Sequence, residues 1–546
     1  MRKFNMPINK LEDLVFLKGL RLDFESIADL ISVRAREIPD APYVYFYDDV
    51  ITYQQMNERS NKVANYLKST GVRKGDNVAF MISNSPEIYY SMFGVQKLGA
   101  IPLPLNYMLK PPEISYVLND AKPKVAIVGS EFMADFAQGY SHAQQKPIVV
   151  EIATGIDHGA DITEQTLSAI LHSYPSDEAL VKQSPNDPFL LIYSSGTTGR
   201  PKGILLSNKG ELSVCLDMTR IGIFNGDDVM LNVLPMFHVN PLCAWTYPII
   251  YAGGSLVLRK SFSPTDFWPS LTRYGATFCM AAPAMYDYIY NSIDPHTVDL
   301  PNLKLRIAFS GAAPLPAELI WGFKEKYNVD IIEGYGLTEA TGVSTCNPPL
   351  GKKKFGSIGM AFPSQIVEIM DDNNNVLPLG ARGEICIWGE ANMLGYLNKP
   401  DATKETLKDG WLHTGDVGHM DEEGYIYIVD RKKDMICRGD ENIYPREIEV
   451  VLESNPKISE TAVVGVPDKV LGERIKAFVI PKVEGSMTEQ EVKDFLKDKL
   501  AKNKIPEFVE FRADFPRNKA GKVLKKELKK DFRSKRQYAH RSPHYR

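Results

Sequence analysis

The segment Tyr193-Ser-Ser-Gly-Thr-Thr-Gly-Arg-Pro-Lys-Gly203 directly follows the apolar run Pro188–Tyr193. The run has the length and composition of a buried strand. In the loop after it, Ser194, Ser195, Thr197 and Thr198 supply hydroxyls, Gly196 and Gly199 let backbone N–H groups approach a ligand closely, and Lys202 adds a positive charge. That combination suits the wrapping of phosphate oxygens. It is not a Walker A loop, which requires G-x-x-x-x-G-K-[ST], because Pro201 stands where the second glycine would fall counting from Gly196. Taken alone, the segment also reads as a bare Ser/Gly-rich surface loop.

On both sides, from about Lys74 to Glu333, short apolar runs recur, each followed by a turn and then a helix-like stretch. Asn77–Ile82, Lys124–Val128, Pro188–Tyr193, Ala276–Met280, Lys304–Phe309 and Val329–Ile332 are the expected strands. The alternation predicts an α/β fold with mostly parallel sheets, whose ligands gather beyond the carboxyl ends of the strands. From about residue 356 to 430 shorter strands and turns such as Asp371-Asp-Asn-Asn-Asn375 predict a β-rich subdomain. A last α/β unit follows, with an amphipathic helix expected over Thr488–Leu500. The expected division is a large domain over 1–432 and a small C-terminal domain over 433–546, with a hinge near Lys433.

Composition narrows the function classes. The 546 residues carry 64 Lys+Arg against 68 Asp+Glu, a net charge of −4, which disfavours a nucleic-acid-binding role. The basic end from Lys525 to Arg546 reads as a solvated tail. The six cysteines form no C-x-x-C pair and no cluster with histidine at metal-ligand spacing. No run approaches the ~18 apolar residues of a membrane span, and the first residues lack the apolar core of a signal peptide. A reduced, cytoplasmic protein without an integral membrane segment is expected, and the sequence leaves its oligomeric state open.

Further segments stand at strand ends: Ser310-Gly-Ala-Ala-Pro314, Glu333-Gly-Tyr-Gly-Leu-Thr-Glu339, Trp411-Leu-His-Thr-Gly-Asp416 and Pro516-Arg-Asn-Lys-Ala-Gly-Lys522. In this order and spacing, with the 193–203 loop, they resemble the superfamily of acyl-CoA synthetases, peptide-synthetase adenylation domains and firefly-type luciferases. The resemblance spans about Phe24 to Asp531 and is closest in pattern to AMP-forming acyl-CoA synthetases. It implies a mobile C-terminal domain and binding of ATP/AMP, Mg²⁺ and coenzyme A. It implies that Gly311, Ala312 and Ala313 line the adenine, with Glu333, Gly334 and Gly336 beside Tyr335 stacking on it. Thr338 would meet a phosphate oxygen and Glu339 would hold Mg²⁺, a hard ion suited to carboxylate oxygen. Asp416 would bind the ribose hydroxyls, with Ile428 and Arg431 nearby and Lys433 at the hinge. Lys522 would bridge the attacking carboxylate and the α-phosphate, stabilising charge that develops in the transition state.

Pro235-Met-Phe-His-Val-Asn240 resembles the aromatic motif beside the acyl pocket, with His238 as the ring that moves between half-reactions. Relatives that activate amino acids carry an aspartate there, so His238 argues against an amino-acid substrate. Trp245, Met280, Ala281, Ala282, Ala313, Gly334, Gly336, Thr341, Gly342 and Val343 form the expected pocket wall. This mostly apolar set suits an uncharged aliphatic, alicyclic or aromatic acid. One departure concerns the segment Ile436-Cys-Arg-Gly-Asp-Glu-Asn442, where Gly439 is followed by Asp440 in place of the family's second glycine. A side chain there either narrows the pantetheine path or bonds a pantetheine amide.

The implied reaction is a two-step ligation: carboxylate and ATP give acyl-AMP and pyrophosphate, and coenzyme A then displaces AMP, reversibly in principle. Two rival readings are adenylation with transfer to a carrier-protein thiol, and a nucleotide- or acyl-binding module without catalysis. The second predicts damage at Lys202, Glu339, Asp416 or Lys522, and all four are present. Lys522→Ala is expected to lower acyl-AMP formation by ~10²–10³ while leaving thioester formation from supplied acyl-AMP intact. Separate assays of the two half-reactions check this, and equal loss of both would overturn the division of roles.

Overall fold

The computed structural model describes residues 24–152, 166–194, 201–311, 313, 315–438, 441–468, 471–497, 499–517 and 523–530. The chain divides into two compact units. One comprises Met1–Val367, Cys386–His413 and Asp421–Ile426, and the other Glu368–Ile385, Thr414–Met420 and Tyr427–Arg546.

In the first unit, six parallel strands form the centre of a nine-stranded sheet, in the order Ile331–Tyr335, Ile307–Ser310, Phe278–Met280, Val229–Asn232, Ser255–Leu258 and Pro42–Phe46. The expected apolar runs at 276–280, 304–309 and 329–332 fall on these strands. Strands buried on both faces read as continuous apolar stretches, which is why they were legible. Helices Pro264–Arg273, Pro283–Ser292 and Ala317–Tyr327 supply Trp268, Tyr286, Phe323 and Tyr327 to the core beside this sheet. Parallel register aligns Asn232 with Met280, Met280 with Phe309, and Ser310 with Glu333. The loops after these residues therefore leave the sheet at one carboxyl edge, where ligands of open α/β sheets bind.

A second, four-stranded parallel sheet runs in the order Ile101–Pro104, Asn77–Met81, Val125–Gly129, Ile148–Ile152. The fold class read from the sequence is thus the observed one. One local expectation is corrected: Pro188–Ser194 is not followed by a helix. It pairs antiparallel with Lys202–Ser207, Ser194 opposite Lys202, so the two strands form a hairpin. Only then does the helix Asn208–Arg220 begin, with the Ser207 hydroxyl accepting the Gly210 N–H at 3.0 Å.

Short strands Gln365–Met370, Gly383–Gly389, Leu407–Lys408, Trp411–Met420 and Ile426–Arg431 populate the expected β-rich stretch. The second unit also contains a sheet ordered Glu441–Ile443, Ile436–Arg438, Gly472–Pro481, Ile458–Asp468, with Phe508–Phe511 pairing Gly472–Pro481. The expected amphipathic helix forms over Glu489–Lys497 and buries Val492 and Leu496.

The helix Asn208–Arg220 carries an unusual core residue. Glu211 is fully buried, the Cys215 thiol lies 3.6 Å from its Oε1, and its Oε2 has no hydrogen-bond partner. Burial pushes its pKa well above the carboxylate range, so the folded protein holds it as the neutral acid. A raised folded pKa means stability is greatest below the unfolded value near 4.5 and falls as pH climbs toward the folded one. Glu211→Gln, which removes that titration, is therefore expected to raise the melting temperature at pH 8 by more than at pH 5. Thermal melts of both proteins across this window check the sign.

Candidate active site

The carboxyl edge of the large sheet brings together the segments 280–281, 309–313 and 333–343. Gly334 and Gly336 are required by contact. A Cβ at 334 would stand 2.2 Å from Cζ of Phe309, and one at 336 would stand 2.2 Å from the Gly342 carbonyl oxygen and 2.4 Å from Cα of Val343. Gly311 lies beneath them, its Cβ position 3.1 Å from the Gly334 carbonyl oxygen. Tyr335, between the two glycines, is half-buried. The chain then makes a single 3-10 turn, Thr338–Ala340. Thr341 follows in the left-handed region at φ 54°, a genuine outlier for a β-branched residue. Its N–H bonds the Thr338 carbonyl at 3.1 Å and its hydroxyl bonds the Ala391 carbonyl, which together hold the strained conformation.

Gly342, at φ 96°, lies against Val239, Cys243 and Ala244, and Val343 is buried. This contact joins the sheet edge to the His238 segment. Residues 235–238 form a turn, with the His238 N–H bonding the Pro235 carbonyl. Buried Asn84 clamps it, accepting from the Met236 N–H at 2.9 Å and donating to the carbonyls of Leu234 and Arg259. The His238 ring packs on Phe237 at 4.3 Å between centroids, and Phe237 meets Tyr107 edge-on at 4.9 Å. The His238 side chain is exposed at the surface, yet the protein atoms crowded around it desolvate the ring, which disfavours the charged form and lowers its pKa to about 4. A π-helical stretch, Asn240–Thr246, follows. Trp245 on it is fully buried, donates to Asn240 Oδ1 at 2.6 Å, and meets Phe309 at 4.6 Å between centroids. Met280 and Ala281 are buried, and the Ala281 N–H bonds the Phe309 carbonyl at 3.2 Å.

The phosphate end was only partly foreseen. Lys202 opens its strand beside the hairpin tip, and its ammonium lies 4.4 Å from the centroid of the Tyr396 ring. The Tyr396 hydroxyl donates to Glu339 Oε1 at 2.9 Å. No sequence signal marked Tyr396, Asn84 or Phe309, because each acts on a partner remote in the chain. Glu333 is half-buried and accepts weakly from the Leu315 N–H at 3.4 Å, and burial raises its pKa.

In the second unit, buried Asp416 pairs with Arg431, Nε to Oδ1 at 2.6 Å, and its own N–H bonds the Thr414 hydroxyl. Ile428 is exposed on the same strand as Arg431, and Lys433 lies in the 3-10 turn Lys432–Asp434. Ser195, Gly196, Thr197, Thr198, Gly199, Ala312, Gly439, Asp440 and Lys522 lie outside the described residues.

Residues 31–397 match the AMP-binding enzyme family and residues 447–522 its C-terminal domain. The chain belongs to this family. It is an ATP-dependent, AMP-forming acid–CoA ligase, and ATP, Mg²⁺ and coenzyme A are what such enzymes use. Among its relatives, the long-chain-fatty-acid–CoA ligase FadD13 of Mycobacterium tuberculosis is 33% identical over 487 residues, 88% of this chain and 93% of that protein. The fatty acid–[acyl-carrier-protein] ligase ScoC of Streptomyces coeruleorubidus is 31% identical over 517 residues, 93% and 96% of the two chains. ATP-bound MatB from Rhodopseudomonas palustris superposes with a TM-score of 0.83 at 31% identity, over 92% of this chain and 99% of that one. Among the described residues no helix is long and apolar enough to cross a membrane.

The lowered pKa of His238 sets its state during the reaction. The ring is expected to stay neutral from pH 8 down to about 5 and to gain a proton only near 4. Histidine-labelled NMR, assigned with His238→Ala, checks this; a titration near the ordinary value of about 6.5 would contradict it.

Proposed function

We propose that the first unit binds ATP and the acid with the residues assembled at the sheet edge. Lys202 and the hydroxyls of the 194–199 loop take the phosphates, Gly311 to Ala313 and Glu333 to Gly336 take the adenine with Tyr335 stacked on it, and Thr338 takes a phosphate oxygen. The carrying observation is that one side chain, Tyr396, touches both Lys202 and Glu339, residues remote in the chain that a bound polyphosphate needs together. Glu339 is a hard carboxylate donor at that end, which suits Mg²⁺; the ion, when bound, would offset the negative charge of the phosphates.

In the second unit, the buried Asp416 carboxylate beside Arg431 supports ribose binding, since one carboxylate can accept hydrogen bonds from two vicinal hydroxyls. A carboxylate oxygen of the acid attacks the α-phosphorus, the new O–P bond forms, and pyrophosphate leaves with the electrons of the broken P–O bond. Lys522 offsets the charge brought together in this step. The coenzyme A sulfur, losing its proton, then forms the C–S bond and AMP leaves with the former carboxyl oxygen. Neutral His238 lines the acyl end, where a charged ring would impose a desolvation cost.

The acid in this reading is uncharged beyond its carboxylate. Buried Met280, Ala281 and Val343, together with Gly342, support an aliphatic, alicyclic or aromatic group. The FadD13 likeness makes long-chain fatty acids the first to try. The ScoC likeness keeps a carrier-protein thiol as the second acceptor, with Asp440 in the pantetheine segment as its sequence support. A cytoplasmic location belongs to the same reading, supported by six cysteines that all remain thiols.

The test is mass spectrometry of the purified protein with Mg·ATP and a panel of acids, each with and without coenzyme A. Acyl-CoA and AMP are expected together for at least one uncharged acid. Acyl-AMP that persists in the presence of coenzyme A, but is consumed by a phosphopantetheinyl carrier protein, would replace this acceptor by the second.

A further inference from the structure

Tyr396 sits on the two-residue strand Gly395–Tyr396, opposite Ile204 on the strand that begins at Lys202. Hydrogen bonds from the Leu394 N–H to the Leu205 carbonyl and from the Leu397 N–H to the Gly203 carbonyl, both 2.8 Å, fasten it to that strand. A third, from the Met393 N–H to the Glu339 carbonyl at 2.8 Å, fastens the same short stretch to the Thr338–Ala340 turn. The Tyr396 N–H bonds the Thr403 hydroxyl at 2.9 Å, and the residue is only 9% exposed. These bonds fix the backbone that carries the ring.

Its contacts with Lys202 and Glu339 are chemically distinct. The ring face receives the Lys202 ammonium at 4.4 Å, a cation–π distance. The hydroxyl donates to Glu339 Oε1 at 2.9 Å, a charge-assisted bond. Among the described residues, no direct Lys202–Glu339 ion pair forms. Such a pair would have to be broken before a phosphate met the lysine and a cation met the glutamate. A neutral side chain between them holds both charges in place while leaving the ammonium hydrogens and the second carboxylate oxygen for ligands.

We propose that Tyr396 is a positioning residue for the Mg·polyphosphate end of the site, setting Glu339 through its hydroxyl and Lys202 through its ring. The inference rests on the assignment of Lys202 and Glu339 made above. Tyr396→Phe keeps the ring and removes the hydroxyl, and Tyr396→Leu removes both. Binding of α,β-methylene-ATP is measured by calorimetry with and without Mg²⁺, alongside the Mg²⁺ dependence of pyrophosphate exchange and the rate of thioester formation from supplied acyl-AMP.

The expected result for Tyr396→Phe is a rise of about tenfold in the Mg²⁺ concentration for half-maximal exchange, with metal-free analogue binding unchanged. Tyr396→Leu shares that rise and in addition weakens metal-free analogue binding about threefold or more. Both variants keep thioester formation within about twofold of the parent. A Tyr396→Phe protein with the parent's Mg²⁺ dependence overturns the proposal, as does equal loss in all three measurements, which would mark a merely structural tyrosine. Glu339→Gln separates the two levels. If it alters the Mg²⁺ dependence while Tyr396→Phe does not, only the role of Tyr396 falls; if neither does, the assignment of Glu339 falls with it.

Discussion

The site depends on a contact that permits no side chain. At Gly336 the Gly342 carbonyl oxygen and the Val343 backbone occupy the space a Cβ would need. The chain after the strand Ile331–Tyr335 must therefore double back tightly. It does so through the 3-10 turn at Thr338–Ala340 and the left-handed Thr341. That fold-back places Glu339 toward Tyr396 and Gly342 against Val239 and Cys243, so one close backbone approach organises both sets of contacts. The strain at Thr341 is offset by hydrogen bonds from its own N–H and hydroxyl.

Charge in this unit is handled by separation and desolvation. Lys202 and Glu339 are linked through an aromatic ring and its hydroxyl. Desolvation lowers the pKa of His238, whose ring packs on Phe237. Glu211 in the same unit is a buried carboxylic acid whose pKa is raised chiefly by burial, against the opposing hydrogen bonds of the Cys243 and Cys215 thiols. In the second unit the opposite solution appears, a direct Asp416–Arg431 pair with the aspartate buried and the arginine partly open. Such a pair orients the carboxylate before any hydroxyl reaches it.

Much of the fold was readable because parallel strands covered on both faces must be apolar throughout, and the runs at 77–82, 124–128 and 329–332 could be little else. The hairpin at Ser194–Lys202 was misread for a related reason. A Gly-rich loop after an apolar strand looks alike whether a helix or a returning strand follows, and the returning residues Lys202–Ser207 are themselves short and apolar. The sheet-edge residues Gly334, Gly336 and Glu339 were singled out by their motif, and the geometry supplies the physical reason for the two glycines. Asn84 and Tyr396 gave no signal. Asn84 acts on a segment 152 residues away and Tyr396 on one 57 residues away, and an asparagine or tyrosine in isolation carries no mark of its partner.

What the amino-acid order determined by itself was local: the strand and helix periods, the hydroxyl- and glycine-rich composition of the 194–199 segment, and the identity of the charged side chains. Each follows from the side chains within a few residues of one another. The tertiary structure decided which of those charges meet, which histidine loses its ordinary titration, and which glycine has no alternative. Those properties depend on desolvation and on contacts of a few ångströms between remote segments, and neither exists until the chain has folded.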